Sequence, residues 1–81
     1  MKIKLRLFAS VKDICGFSEK ELIVSDNIKV FHIIEQLCRS HPELLELKSS
    51  LLYAVNEDYC DGEKEINEND TLAVFPPVSG G

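Results

Sequence analysis

The sequence predicts an α+β fold, a small mixed sheet packed on one main helix. Three observations predict it. Residues alternate at the start, with Ile3, Leu5 and Leu7 on one side of an extended segment and Lys2, Lys4, Arg6 and Phe8 on the other. Val30, Ile33, Ile34, Leu37 and His41 then follow a helical stripe. Two apolar runs, residues 51–55 and Thr71–Phe75, come after it.

Each element has a local reason. The opening strand leaves Phe8 out of phase with the core residues. A turn over residues 12–18, punctuated by Gly16, leads to a second strand over residues 19–24, and the two read as a hairpin. Ser25, Asp26 and Asn27 supply helix-start chemistry, because short polar side chains accept hydrogen bonds from the free N–H groups of a first turn. Pro42 stops the helix. Residues 43–49 fit a short extra turn. The apolar strand 51–55 is ended by Asn56, Glu57 and Asp58, and Asp61-Gly62 marks another turn. In the turn over residues 67–70, Asn69 is best suited to a left-handed backbone. The last strand sets Leu72 and Val74 on one face and leaves Phe75 out of phase, as Phe8 is. Two strands, a helix and two further strands describe the β-grasp plan. A ferredoxin-like arrangement needs a second long helix between later strands, and residues 43–48 are too few and come too early.

With 81 residues, 44% of them hydrophobic, the chain has enough for one thin core and none to spare for a deep catalytic cavity. Residues 1–75 read as the domain and residues 76–81 as an extended tail. The formal charge is -5, so nucleic acid is excluded as a natural partner. From Tyr53 onward the acids Glu57, Asp58, Asp61, Glu63, Glu65, Glu68 and Asp70 face only Lys64, which suits either a basic partner or a solubilising face. Cys15, Cys38 and Cys60 are odd in number and lack a CxxC, the pattern of reduced thiols in a cytosolic protein. The N-terminal residues alternate charge with apolar groups, so neither a leader nor a membrane helix is expected. Cys38 and His41 stand three apart on the helix, but nothing supplies two further ligands, and no metal site is expected. Nor does this pair have an oxyanion hole or an orienting acid. Nothing in the body of the chain reads as catalytic.

The end of the chain does carry chemistry. In Phe75-Pro76-Pro77-Val78-Ser79-Gly80-Gly81, two prolines break the sheet ladder and project the last residues outward in extended form. Small residues and two glycines then offer a carboxylate unobstructed by any Cβ to a narrow channel. A carboxylate repels nucleophiles and has no usable leaving group, so it must first be activated. Adenylylation by ATP makes a mixed anhydride that sulfur or an amine can attack. Sulfur yields a thiocarboxylate and an amine an isopeptide bond, and residue logic leaves both open.

Phe8-Ala9-Ser10-Val11, Ala54-Val55-Asn56 and the final seven residues together resemble the small subunits of molybdopterin synthase, the ubiquitin-like sulfur carriers of molybdenum cofactor biosynthesis. The resemblance spans essentially the whole chain and implies the β-grasp fold. It further implies that a ubiquitin-activating-like adenylyltransferase and sulfurtransferase uses ATP to adenylate Gly81, and that a sulfur donor converts it to a thiocarboxylate. The tail, Pro76, Pro77, Val78, Ser79, Gly80 and Gly81, would then enter an active site formed mainly by the large synthase subunit. There the sulfur would attack cyclic pyranopterin monophosphate, two deliveries building the dithiolene of molybdopterin. The small subunit is then a recycled carrier, not a catalyst by itself, with no stably bound cofactor and no metal. Phe8, Phe75 and Tyr59 would centre its contact with the large subunit in an assembly of two small and two large chains. Two departures stand out. Asn69 replaces the family's usual glycine, and Cys60 takes a position that is usually aliphatic or small. A thiamine-pathway sulfur carrier, a lysine-conjugated modifier and a plain adaptor are the competing readings.

Overall fold

In the computed structural model, which describes residues 1–77, seven elements succeed one another: β1 (Lys2–Leu7), α1 (Ala9–Cys15), β2 (Glu19–Ile23), α2 (Val30–Ser40), β3 (Leu52–Val55), β4 (Asp58–Cys60) and β5 (Thr71–Phe75). Two 3₁₀ turns, Pro42–Glu46 and Lys48–Ser50, join α2 to β3. The strands form one sheet in the order β2-β1-β5-β3-β4. Its central pair, β1 and β5, is parallel, with Leu5 beside Leu72 and Leu7 beside Val74. The other pairings are antiparallel. This is the β-grasp arrangement, with α2 across one face of the sheet.

Alternation decides which side chains meet that helix. Ile3, Leu5 and Leu7 from β1 and Leu72 and Val74 from β5 are all buried, and α2 presents Val30, Ile33, Ile34 and Leu37 to the same core. Leu44 of the first 3₁₀ turn and Ile66 of the loop before β5 close its ends. No polar side chain is buried among the described residues, so apolar burial is the main stabilising term.

Four local features differ from the sequence expectation or refine it. Residues 9–15 form a helix where a plain hairpin turn was expected. Val11 and Cys15, one helical turn apart, both reach the core, and the Gly16 N–H closes the helix on the Lys12 carbonyl at 2.8 Å. Seven residues hold no stable helix alone, so burial rather than propensity forms it. Second, α2 begins later than Ser25-Asp26-Asn27 suggested. Ile28 is buried first, pinned by the Ile66 N–H donating to its carbonyl at 2.9 Å, and the Lys29 N–H donates to His32 Nδ1 at 3.1 Å at the helix start. Third, β3 does end at Asn56, but the chain turns straight back as β4. Asn56 and Glu57 take φ of 50° and 74°, the left-handed pair of a tight two-residue hairpin. Three residues are too few for their periodicity to mark a strand. Fourth, Asn69 takes φ of 68°, the conformation expected of it.

No helix among the described residues is long and apolar enough to cross a membrane. Because Leu5 is fully buried on a strand paired on both sides, Leu5→Ala is expected to destabilise the chain by about 2–5 kcal/mol. Chemical denaturation followed by circular dichroism measures it.

Candidate functional site

The sheet face turned away from α2 is where the out-of-phase residues gather. Arg6 stands beside Ala73, Ala73 beside Ala54, Ala54 beside Tyr59 and Leu52 beside Phe75. Two alanines at the centre of that row leave room above them. The result is an open depression of about 540 Å³ lined by Arg6, Phe8, Ala54, Asn56, Glu57, Tyr59, Thr71, Ala73 and Phe75. Its floor is methyl groups and its walls are aromatic.

All three aromatic residues singled out in the sequence meet here. The Phe8 and Phe75 rings stack with centroids 4.6 Å apart and planes 12° from parallel, and Tyr59 tilts against Phe75 at 6.2 Å. Phe8 and Phe75 are half-buried, whereas Tyr59 is 75% exposed. The backbone explains why Phe8 sits where it does. Its N–H donates to the Val74 carbonyl at 3.2 Å, continuing the β1–β5 ladder, and Ala9 then turns the chain away with φ of 51°. A left-handed alanine costs about 1–2 kcal/mol, which the packing of α1 and of the stacked rings offsets. The Arg6 guanidinium carbon lies 5.3 Å from the Phe8 ring centre, a cation–π distance. Pro76 and Pro77 leave the sheet directly from Phe75, half-buried and exposed in turn. Val78, Ser79, Gly80 and Gly81 lie outside the described residues.

A hydrogen-bond hub holds the opposite rim. Asn56 Nδ2 donates to Asp70 Oδ1 at 2.8 Å, the Thr71 N–H donates to Asn56 Oδ1 at 3.0 Å, and the Asn56 N–H donates to the Thr71 carbonyl at 2.9 Å. The β3–β4 turn is thereby tied to the start of β5. Glu57, in the turn, carried no signal of its own, and functional reading of individual residues also missed Arg6, Ala54, Asn56, Thr71 and Ala73 as lining. The signal that could have found them is parity: small or polar residues share the alternate positions that carry Phe8 and Phe75.

The acidic stretch divides into two sets. Asp61 Oδ1 accepts the Glu63 N–H at 2.9 Å, Glu63 pairs with Lys29 at 3.0 Å, Glu68 accepts the Lys2 N–H at 2.7 Å, and Asp70 accepts from Asn56 and Asn67. These acids organise turns. Glu57, Asp58 and Glu65 have no side-chain partner among the described residues and remain open to another molecule. The flank nearer β2 is neutralised internally by the exposed pairs Lys2–Glu21 at 3.7 Å and Arg6–Glu19 at 3.6 Å. Such pairs contribute little to stability.

The three cysteines are unpaired, and burial pushes each thiol above its ordinary value. The carboxylate of Asp61 raises Cys60 further, against a smaller opposing effect of Lys64. A raised thiol is a smaller fraction thiolate, and so a weaker nucleophile, than an exposed one. Among the described residues no group of three or more His, Cys, Asp or Glu side chains is placed to hold a metal.

Comparison with known proteins agrees with this geometry. The model of the ThiS family matches residues 5–81. A protein of Dictyostelium discoideum named molybdopterin synthase sulfur carrier subunit is 35% identical over 83 residues, covering 99% of this chain and 96% of that protein. Among solved structures, a putative molybdopterin converting factor subunit 1 of Pyrococcus furiosus superposes with a TM-score of 0.83 at 27% identity, covering 96% of this chain and 99% of that one. A chain in the complex of subunits 1 and 2 of molybdopterin-converting factor from Helicobacter pylori shares the fold at a TM-score of 0.67 and 18% identity, with all of both chains covered.

Two measurements test the site's physical description. A double-mutant cycle of Phe8→Leu and Phe75→Leu, read by chemical denaturation, is expected to give a coupling of about 0.5–1.5 kcal/mol for the stacked pair. Alkylation of the thiols at neutral pH is expected to be far slower in the folded chain than in urea. Because folded thiols hold their protons more tightly, the associated stability is present below the unfolded value of 9.0 and lost as pH climbs through the folded values.

Proposed function

This chain belongs to the ThiS family, and from that premise we propose that it is the sulfur-carrier subunit of a molybdopterin synthase, working through the carboxylate of Gly81. The observation that carries the reading is a juxtaposition. Phe75 is at once the end of β5, the hub of the aromatic cluster and the residue from which Pro76-Pro77 leave the sheet. A partner that grips the cluster therefore also receives the tail, and docking and delivery share one surface.

The chemistry is that of an activated carboxylate. In an activating enzyme of the ubiquitin-activating kind, a Gly81 oxygen attacks the α-phosphorus of ATP, pyrophosphate leaves, and an acyl-adenylate forms. Hydrosulfide-level sulfur released by a donor then attacks the acyl carbon, AMP leaves, and a thiocarboxylate forms. On the large synthase subunit the thiocarboxylate sulfur forms a C–S bond to a side-chain carbon of the cyclic pyranopterin monophosphate precursor as an oxygen substituent leaves that carbon, and water then cleaves the acyl–sulfur bond to return the Gly81 carboxylate and leave the sulfur on the precursor. Two such cycles supply a dithiolene. The body of the chain contributes recognition: Phe8, Phe75 and Tyr59 form the apolar centre of the contact, where aromatic side chains concentrate binding energy. Pro76 and Pro77 fix the direction in which Val78, Ser79, Gly80 and Gly81 are presented. ATP is thus a substrate of the activating enzyme and not a cofactor of this chain. The reading places the sulfur chemistry at the C-terminus and the chain in the reducing cytosol, with which three unpaired cysteines are consistent.

Incubation with an active ubiquitin-activating-like enzyme, ATP and a sulfur donor is expected to exchange one Gly81 carboxyl oxygen for sulfur, located by intact-mass measurement and fragmentation. An unchanged mass, with the enzyme shown active on another carrier, sinks the assignment for that enzyme. Deleting Gly81 should leave binding to the large subunit intact and abolish sulfur transfer, whereas an adaptor would keep its function. Phe75→Ala should weaken the contact by about 2 kcal/mol or more while the sheet still folds.

A further inference from the structure

Glu57 occupies a place that its backbone disfavours. It is the second central residue of the β3–β4 turn, at φ of 74°, where glycine is the usual occupant and a long side chain is strained. Its neighbour Asn56, also left-handed, is repaid by three hydrogen bonds to Asp70 and Thr71. Glu57 receives no such return, because its side chain forms no hydrogen bond or ion pair among the described residues. It is exposed, and it lines the depression that holds Phe8, Tyr59 and Phe75.

The charge around that depression is therefore lopsided. On the β1 side Arg6 is already engaged with Glu19 and the Phe8 ring, so that rim is locally satisfied. On the hairpin side Glu57 presents unneutralised negative charge at the edge of an apolar patch. Backbone strain at an exposed residue whose side chain has no internal partner points to a functional constraint on that residue.

We propose that Glu57 is a specificity residue of the docking face, held in a strained turn so that its carboxylate meets a lysine or arginine of the partner at the rim of the aromatic contact. The inference rests on the carrier reading and adds to it the chemistry of the partner surface: an apolar centre flanked on one side by a cation. A rim pair of this kind acts mainly on encounter and orientation, so its signature is a salt-dependent association rate.

Two variants separate charge from turn geometry. Glu57→Gln keeps the size and backbone strain and removes the charge. Glu57→Gly removes both. Binding kinetics with the large synthase subunit would be measured at low and high salt, beside chemical denaturation of each free variant. Glu57→Gln should leave the denaturation midpoint unchanged, weaken binding by about two- to five-fold through the association rate, and flatten the salt dependence. Glu57→Gly should show the same loss of binding together with a higher denaturation midpoint. The inference is overturned if Glu57→Gln associates at the parent rate with the parent salt dependence, or if Glu57→Gly is no more stable than the parent chain. Failure of the unsubstituted chain to bind the large subunit at any salt concentration overturns the carrier reading itself.

Discussion

The parallel pairing of β1 with β5 is the constraint on which the rest of the structure depends. Parallel strands end on the same side of a sheet, and the register that sets Leu7 beside Val74 makes Phe8 and Phe75 the next pair along. Their rings stack because both fall on the face opposite α2. The same geometry delivers Pro76 and Pro77 from the edge where the aromatic cluster lies. An antiparallel centre would have put the tail at one end of the sheet and Phe8 at the other.

That central pair is held by burial from α2 on one side only. The other face is left to a division of labour along the sheet. Toward β2 it carries cross-strand pairs such as Arg6–Glu19, which satisfy one another. Toward β3 and β4 it carries alanines, aromatic rings and a tight turn, which do not. The two left-handed positions that bound this half, Ala9 and Glu57, each work against local preference. Packing on the core side stabilises the fold enough to hold them, so the functional face is shaped at the expense of local conformational comfort. Asn56 is the exception that joins the two demands, adopting the turn conformation and repaying it with hydrogen bonds.

A carrier of this design needs no catalytic pocket. On the proposed reading its reactive carboxylate is made at the chain end by another enzyme, while burial raises the thiols of the body above their ordinary value. What the domain supplies is address and direction. On that reading the apolar surface identifies the partner, and the proline pair beside it aims the tail. The depression on the open sheet face is wide and shallow, suited to side chains of another protein and not to enclosure of a small molecule.

How much of the fold and site was legible in the residues varied with the range of the interactions involved. Strict alternation in residues 2–8 and Thr71–Phe75 and the stripe on α2 identified the core, because burial on one face imposes a period that any window of sequence displays. The phase of Phe8 and Phe75 singled them out for the same reason, and the proline and glycine residues at the end drew attention to the tail through backbone properties that are intrinsic to those residue types. Short elements were not visible in this way. The helix α1 exists because Val11 and Cys15 find the core, and β4 exists because β3 offers an edge, so neither has a local signature strong enough to announce it. Sequence alone therefore determined the fold class and the core, which derive from periodicity and from single residue types. The stack of Phe8 on Phe75, the pairing of Ala54 with Ala73 and the place of Glu57 at the rim were decided only by tertiary structure, since they depend on strand order and register, which in the case of the two rings join residues more than sixty positions apart in the chain.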